Sequence, residues 1–219
     1  MPAPCAPLPL ALQRPLLCPE LALWLLAPEV DLDADARALG CEEPPYWAFA
    51  WASGQALARL LLDEPDRARG RRVADLGAGS GVAAIAAARA GAAHVVACDL
   101  DPLARRAAAR NARANGVALE VVATLEEALA TGPDLLLAGD VCYQPGVAER
   151  LLALADAGTP EVLLAEPGRA PLPIPAERLV PVASVRVRTH PDLGEPTPGA
   201  AVHRLAAASA RAACAAEPR

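Results

Sequence analysis

A short glycine-rich run between two acidic residues is the stretch of this sequence best suited to hold a ligand. The run 75–81 reads D-L-G-A-G-S-G, and its glycines are Gly77, Gly79 and Gly81. Glycines at such a turn let a ligand lie against bare backbone, where a Cβ would clash or forbid the dihedral angles. Asp99, about 20 residues past the turn, is placed to accept hydrogen bonds from ribose hydroxyls. The pattern predicts a site for an adenosine-containing ligand.

The spacing of the glycines distinguishes between adenosine cofactors. A dinucleotide site is typically G-x-G-x-x-G, which would need a glycine where Val82 stands. Asp75 precedes the turn, where a carboxylate would repel a pyrophosphate but would favour a cationic amino-acid group, directly or through a water. The run resembles motif I of the class I S-adenosylmethionine-dependent methyltransferases, D-x-G-x-G-x-G. That resemblance implies S-adenosylmethionine as the cofactor, over a dinucleotide or a glycine turn of an unrelated α/β protein.

A second candidate site follows an apolar run that ends at Gly139. Asp140 and Tyr143 come directly after it, in the sequence D-V-C-Y. In open α/β sheets, ligands bind in the crevice at the carboxyl ends of the strands. Because the glycine turn also lies at the carboxyl end of its strand, we expect both stretches to face one pocket. The alternative interpretation of Asp140 is a helix cap after the strand.

The elements that must position these residues alternate along the chain. Apolar runs of strand length are followed by runs with helical periodicity and caps, such as Asp101-Pro102. Strand–helix alternation predicts a mostly parallel sheet with helices on both faces. The predicted strands are 73–75, 95–99, 119–123, 134–139, 161–165, 179–189 and 201–206, and the predicted helices are 31–40, 56–66, 82–90, 101–115, 125–130 and 147–157.

The rest of the chain is interpreted as additions to one domain. Residues 1–15 are predicted to be a flexible, proline-rich arm, and 16–206 the domain, with 16–60 as an N-terminal segment that packs on it. Residues 207–219 form an alanine-rich tail.

Aromatic residues make up only 3% of the sequence, and several of them lie together just before the glycine turn, in 44–55. Trp47 and Trp51 are four residues apart, so a helix would place them on one face. For Trp47, a surface that flanks the ligand and a core cluster that anchors the N-terminal segment remain equally open.

Composition excludes several classes of function. The net charge of −6 argues against nucleic-acid binding through phosphate neutralisation, and all 20 basic residues are arginine. The six cysteines contain no C-x-x-C pair and no metal-like spacing with histidine, so no metal site and a reducing compartment are expected. Cys98 and Cys142 lie in apolar runs and are expected in the core. No stretch is long and apolar enough to suggest a membrane span.

Several motifs together resemble the lysine methyltransferases that act on the electron-transfer flavoprotein β subunit. The motifs are Y-W-A-F-A-W at 46–51 with G-Q-A-L-A at 54–58, D-V-C-Y at 140–143 and P-G-R at 167–169, and the resemblance covers residues 14 to 206. It implies a Rossmann-like, seven-stranded class I methyltransferase sheet with helices on both faces. It also implies S-adenosylmethionine as cofactor, the flavoprotein β subunit as protein substrate, and a cytoplasmic location, or the mitochondrial matrix in a eukaryote.

The same resemblance assigns roles to individual residues. Trp51 matches the tryptophan that contacts the cofactor, and Asp140 with Tyr143 match the active-site signature D/E-x-x-Y/F. Leu125 follows the third strand of the sheet, where the adenine ring would lie. The relatives commonly have Pro-Gly or Gly-Gly after the tryptophan, where this chain has Ala52-Ser53.

The residues inside the D-V-C-Y motif indicate which kind of nitrogen accepts the methyl group. Methyltransferases that act on adenine or on a glutamine amide carry D/N-P-P-Y/F here, and Val141 and Cys142 replace both prolines. A planar amide is therefore disfavoured and a tetrahedral amine fits better. The alternatives are a methyltransferase of a ribosomal protein or a small molecule, and a non-catalytic interaction module that binds the cofactor.

Overall fold

The computed structural model describes residues 8–30, 45–168, 171–187 and 199–208. The predicted helix 31–40, the last two residues of the predicted strand 179–189, Arg169 and all of the tail beyond residue 208 lie outside these ranges. The strands are β1 (Leu10–Gln13), β2 (Leu23–Leu26), β3 (Arg72–Leu76), β4 (His94–Cys98), β5 (Glu120–Val122), β6 (Leu135–Gly139), β7 (Glu161–Glu166), β8 (Leu179–Val185) and β9 (Ala200–Leu205). The helices are α1 (Ala52–Asp63), α2 (Val82–Arg89), α3 (Pro102–Ala114), α4 (Leu125–Ala130) and α5 (Val147–Ala157). Within these ranges, every helix is too short or too polar to cross a lipid bilayer.

Seven strands form one sheet in the order β5-β4-β3-β6-β7-β9-β8. The first five are parallel, and β9 runs antiparallel to both β7 and β8. The predicted class I methyltransferase sheet is therefore confirmed. Because β3 to β7 are parallel, their carboxyl ends meet at one edge, where Leu76 lies beside both Cys98 and Ala138.

The sheet is buried on both faces, as its nearly continuous apolar strands require. Successive residues of β6 point to opposite sides. Leu135 and Leu137 join the cluster that contains α1 and α2 residues, whereas Leu136 and Ala138 join the cluster that contains α4 and α5 residues. Cys98 and Cys142 are buried in the second cluster, as expected.

A small antiparallel pair, β1 with β2, precedes the main sheet. Two asparagines of α3 fasten it: Asn111 Oδ1 accepts from the Trp24 backbone N–H at 2.7 Å, and Asn115 exchanges hydrogen bonds with the backbone of Ala22. The prediction that all of residues 1–15 form a flexible arm is therefore wrong for β1, which pairs with a partner strand that the local sequence does not reveal. The remaining domain boundaries stay a prediction.

The aromatic segment also differs from its predicted form. Tyr46–Ala48 is a single 3-10 turn, and Trp51 is the extended N-cap of α1, which begins four residues earlier than predicted. Trp47 and Trp51 therefore do not share one helical face. By contrast, α4 and α5 have their predicted bounds, and α4 begins with the capping box of Thr124 and Glu127.

Candidate active site

The glycine turn joins β3 to α2 in a conformation that side chains rarely adopt. Gly77, Gly79 and Gly81 all have positive φ, between 51° and 81°. A Cβ on Gly77 would lie 2.6 Å from Val141 Cγ1, and one on Gly81 would lie 3.0 Å from the Cα of Ala108. At Gly79 the nearest atoms would be 3.9 Å away. Gly77 and Gly81 therefore permit close packing, whereas at Gly79 a Cβ would meet only ordinary contacts and the positive φ is what favours glycine.

Asp99 lies against this turn at the end of β4. Its carboxylate accepts hydrogen bonds from the backbone N–H groups of Gly79, at 2.9 Å, and Asp101, at 3.0 Å. Burial raises the pKa of Asp99, and the two N–H donors oppose that shift. The predicted ribose acid is thus fixed beside Gly79.

Asp75 is buried beneath the turn rather than exposed at its surface. Only 3% of the residue is exposed, and Oδ2 accepts a hydrogen bond from the Ala84 N–H at 3.0 Å. The N-cap of α2 is Gly81, which provides no side-chain cap, so Asp75 satisfies one of the first N–H groups of the helix. Burial raises the pKa of Asp75 to about 7, and the nearby charge of Asp99 adds to the shift.

The loop after β6 holds Asp140 in an uncommon backbone conformation. Its φ is 55°, the one positive value for a non-glycine residue in the described part of the chain. The Asp140 N–H donates to the Ala165 carbonyl of β7 at 2.9 Å. The next helix, α5, begins at Val147 with Gly146 as its N-cap, so Asp140 is not the cap of that helix. Tyr143 is 75% exposed and accepts a 3.4 Å hydrogen bond from Gln144 Nε2 through its hydroxyl.

Trp47 and Trp51 lie in the segment that leads into α1. Trp51 Nε1 donates to the Tyr46 carbonyl at 2.7 Å, and its ring is 5.5 Å from the Phe49 ring. The Cα of Trp47 is 3.9 Å from the position of a Gly79 Cβ. Trp47 also packs on the apolar cluster of Leu26, Ala27, Val30, Ala48 and Phe49. Both interpretations of Trp47 are therefore compatible with its position.

Leu125 is the first residue of α4 and packs partly buried on the second core cluster. The Asp99 N–H donates to the Val122 carbonyl of β5, so the chain leading to Leu125 leaves the sheet beside Asp99. This is the outer side of the glycine turn, away from Asp140.

Glu166, at the end of β7, is a partly buried acid that the motifs did not identify. Burial raises the pKa of its carboxyl group. Its Oε1 is buried without a hydrogen-bond partner in the described part of the chain. The rule that ligands meet the carboxyl ends of strands was the available signal for it.

Asn111 was also missed. It is fully buried on α3, and its Nδ2 donates to the Ser80 carbonyl of the glycine turn at 2.9 Å. No local motif distinguishes it from the other polar residues of this helix, because its partners lie far away in the sequence.

The two predicted stretches meet at one edge of the sheet. Val141 contacts the glycine turn at Gly77, and a Cβ on Gly139 would lie 3.5 Å from the Gly54 N–H of α1. Along this edge the strand ends give the order Asp99, glycine turn, Asp140, Glu166. Such a row of acids beside exposed backbone is suited to a ligand that carries both hydroxyl groups and a cationic centre.

Several known proteins are similar to this chain in sequence. The family model of the ribosomal protein L11 methyltransferase (PrmA) matches residues 56–143. The electron transfer flavoprotein beta subunit lysine methyltransferase of Xenopus laevis is 42% identical over 161 residues, covering 70% of this chain and 65% of the relative. That of Rattus norvegicus is 40% identical, covering 70% and 62%. The chain therefore spans slightly less than two thirds of the length of these relatives.

Two solved structures show the same fold. A candidate RNA methyltransferase from Pyrococcus horikoshii has a TM-score of 0.51 at 19% identity, covering 71% of this chain and 83% of that chain. A candidate methyltransferase complexed with SAH has a TM-score of 0.50 at 12% identity, covering 70% and 49%.

Proposed function

We propose that this chain, a homologue of the electron transfer flavoprotein beta subunit lysine methyltransferases, is an S-adenosylmethionine-dependent protein-lysine N-methyltransferase that acts on that β subunit. The observation that carries the proposal is the contact between the glycine turn and the D-V-C-Y loop, where Val141 lies against Gly77. A cofactor on the turn would then have its reactive group beside Asp140.

The residues at the turn fit S-adenosylmethionine. Gly79 leaves bare backbone, and Asp99 beside it supplies carboxylate oxygens for the ribose hydroxyls. Asp75 places a negative charge under the turn, which favours a cationic ligand over a pyrophosphate. We assign Trp51 and Leu125 to opposite flanks of this ligand, with Leu125 toward the adenine.

When bound, S-adenosylmethionine supplies a methyl group on a positively charged sulfur. The acceptor lysine must reach it as a neutral amine, and its ordinary pKa is about 10.4. Partial desolvation beside the Asp140–Tyr143 loop promotes loss of the ammonium proton to solvent. Asp140 accepts a hydrogen bond from the amine and so directs the lone pair, while Tyr143 forms a wall of the acceptor channel. Alignment of donor and acceptor supplies much of the acceleration.

The acceptor class is argued from the D-V-C-Y loop and from the relatives. Val141 and Cys142 stand where enzymes that act on planar amides have prolines, so the loop favours an amine. The family-model match at residues 56–143 contains the glycine turn and the same loop, so it supports methyl transfer without distinguishing ribosomal protein L11 from the flavoprotein subunit. We place the reaction in the cytoplasm, or in the mitochondrial matrix if the source is a eukaryote, with no nucleic-acid partner.

The test uses methyl-labelled S-adenosylmethionine with recombinant electron-transfer flavoprotein β subunit and, separately, ribosomal protein L11. Since this chain contains no lysine, every methyl-lysine found by mass spectrometry comes from the acceptor. Methylated lysine in the flavoprotein subunit supports the proposal. Methylation of L11 alone would support the alternative substrate. The labelled cofactor is also incubated with this chain and a cell lysate, and cofactor binding without any methylated product there would support a non-catalytic module.

A further inference from the structure

We infer that Asn111 is a positioning residue, whose side-chain amide holds the glycine turn in the shape that receives the cofactor and connects the turn to the β1–β2 pair. The cofactor part of this inference rests on the proposed function. The connection between the pair and the turn does not, and it is measured separately below.

The Asn111 amide joins two segments that are far apart in the sequence. Its Nδ2 donates to the Ser80 carbonyl at 2.9 Å, and its Oδ1 accepts from the Trp24 backbone N–H of β2 at 2.7 Å. An amide rotated by 180° would place its NH2 group against the Trp24 N–H and its oxygen against the Ser80 carbonyl. The two partners therefore fix one orientation of this fully buried side chain.

Helix α3 holds the glycine turn at two successive residues. Asn111 bonds to the Ser80 carbonyl, and a Cβ on Gly81 would lie 3.0 Å from the Cα of Ala108. Asn111 and Ala108 are three residues apart on the helix, so they lie on the same face. Because Ser80 is bonded directly to Gly79, a displacement of the Ser80 carbonyl also moves the backbone that the proposed site offers to the ligand.

Attachment of the β1–β2 pair does not by itself explain an asparagine at position 111. Asn115, one turn further along α3, already exchanges hydrogen bonds with the backbone of Ala22 at 3.0 and 2.7 Å. The other buried residues of α3 are alanines, which favour a helix more than asparagine does. A buried amide is costly unless it is hydrogen-bonded. What Asn111 adds to the attachment made by Asn115 is the hydrogen bond to Ser80.

The first experiment measures the turn without any cofactor. Hydrogen exchange of full-length wild type, Asn111→Ala and the matched control Asn115→Ala is followed by mass spectrometry of peptides that contain residues 79–81 or 22–26. Asn111→Ala should speed exchange about fivefold or more in both peptides, since each segment loses a hydrogen bond. Asn115→Ala should speed exchange at 22–26 only. Equal exchange at 79–81 in Asn111→Ala and wild type overturns the inference.

A second measurement needs no substitution and decides the matter if Asn111→Ala does not fold. Two coupled sites influence each other reciprocally, so S-adenosylhomocysteine on the turn should also slow exchange at 22–26 in the wild type. Strand β8, at the far edge of the sheet, is the reference for overall stabilisation of the fold. Exchange at 22–26 should slow at least twofold more than exchange in β8. Equal slowing in the two segments overturns the connection.

The third experiment measures cofactor binding by calorimetry. Asn111→Ala should weaken the affinity for S-adenosylhomocysteine about fivefold or more, whereas Asn115→Ala should match the wild type. In transfer to the flavoprotein β subunit, Asn111→Ala should raise the KM for S-adenosylmethionine by a similar factor, with kcat at saturating cofactor close to wild type. Equal affinities in the two variants overturn the positioning role. If the wild type binds no S-adenosylhomocysteine or transfers no methyl group, the proposed function fails, and exchange without cofactor still decides the anchoring.

Discussion

The acidic residues at the two ends of the parallel sheet differ in their partners and in their exposure to solvent. At the amino ends, Glu161 pairs with Arg71 and Asp134 accepts the backbone N–H of Arg72, both near solvent. At the carboxyl ends, the hydrogen bonds to Asp75 and Asp99 come from backbone N–H groups, and burial raises the pKa of each acid. These acids are Asp75, Asp99 and Glu166.

This difference separates acids that stabilise the fold, at the amino ends of the strands, from acids that serve the candidate site, at the carboxyl ends. Paired, partly exposed acids cost little to fold, whereas a buried carboxylate without a cationic partner, such as that of Asp75, is expensive. Acids whose pKa values are raised in this way cluster at functional sites, where their charge acts on a ligand. The amino ends therefore provide matched controls for substitutions at the carboxyl ends.

The largest expected effect is at Asp140, which follows the carboxyl end of β6. Asp140→Asn should lower kcat by about 100-fold or more, because the amine loses the acceptor that directs its lone pair. The affinity for S-adenosylhomocysteine, measured by calorimetry, should stay within about threefold of wild type.

Asp134→Asn is the control for this substitution. It removes a carboxylate from the opposite end of the strand, where Asp134 Oδ2 accepts the Arg72 N–H at 2.8 Å. Its transfer rate should match the wild type. Equal losses of kcat in Asp140→Asn and Asp134→Asn would contradict the functional difference between the two ends of the sheet.

A smaller effect is expected at Asp99. Asp99→Asn weakens a charged acceptor beside Gly79, so the dissociation constant of S-adenosylmethionine should rise about tenfold or more. The kcat at saturating cofactor should change little. Glu120→Gln, at the amino end of the neighbouring strand, removes a partner of His94 and should leave cofactor affinity unchanged. A loss of kcat without a loss of affinity in Asp99→Asn would remove Asp99 from the cofactor site.

The pH dependence follows from Asp75. Its pKa in the folded chain is about 7, above its ordinary value of 3.8, so the folded protein holds the proton more tightly than the unfolded chain. Stability should fall as pH rises from about 4 to 7 and then level off, while affinity for the cationic cofactor should rise about tenfold from pH 6 to 8. Asp75→Asn should flatten both profiles, measured by thermal unfolding and calorimetry. A profile unchanged in this variant would assign the titration to another group.

A last comparison concerns stability alone, at two glycines with nearly equal φ. A Cβ on Gly70 (φ 71°) would have nothing within 4 Å, whereas a Cβ on Gly77 (φ 68°) would meet Val141 at 2.6 Å. Gly70→Ala should lower the free energy of unfolding by about 1 kcal/mol through backbone strain alone. Gly77→Ala should lose a further ~1–3 kcal/mol through the clash. Denaturant titration measures both, and equal losses would show that the turn and the loop do not pack closely.

The sequence predicts local features of this molecule better than long-range ones. Apolar periodicity and caps gave β6, α4 and α5, because those signals lie within each element. The glycine turn and the D-V-C-Y loop were expected at one edge because parallel strands place their carboxyl ends together. The start of α1, the pairing of β1 and the role of Asn111 depend on partners far along the chain. The Ser80 carbonyl, for example, is not recognisable as a partner of Asn111 before folding.

The most direct test of the central claim is a crystal structure of the full chain with S-adenosylhomocysteine. The ribose hydroxyls should lie within hydrogen-bonding distance of Asp99, with the nucleoside along Gly79 and the sulfur directed toward Asp140. A nucleoside bound elsewhere, or a sulfur directed away from the Asp140–Tyr143 loop, would contradict the claim that the two stretches form one methyl-transfer site.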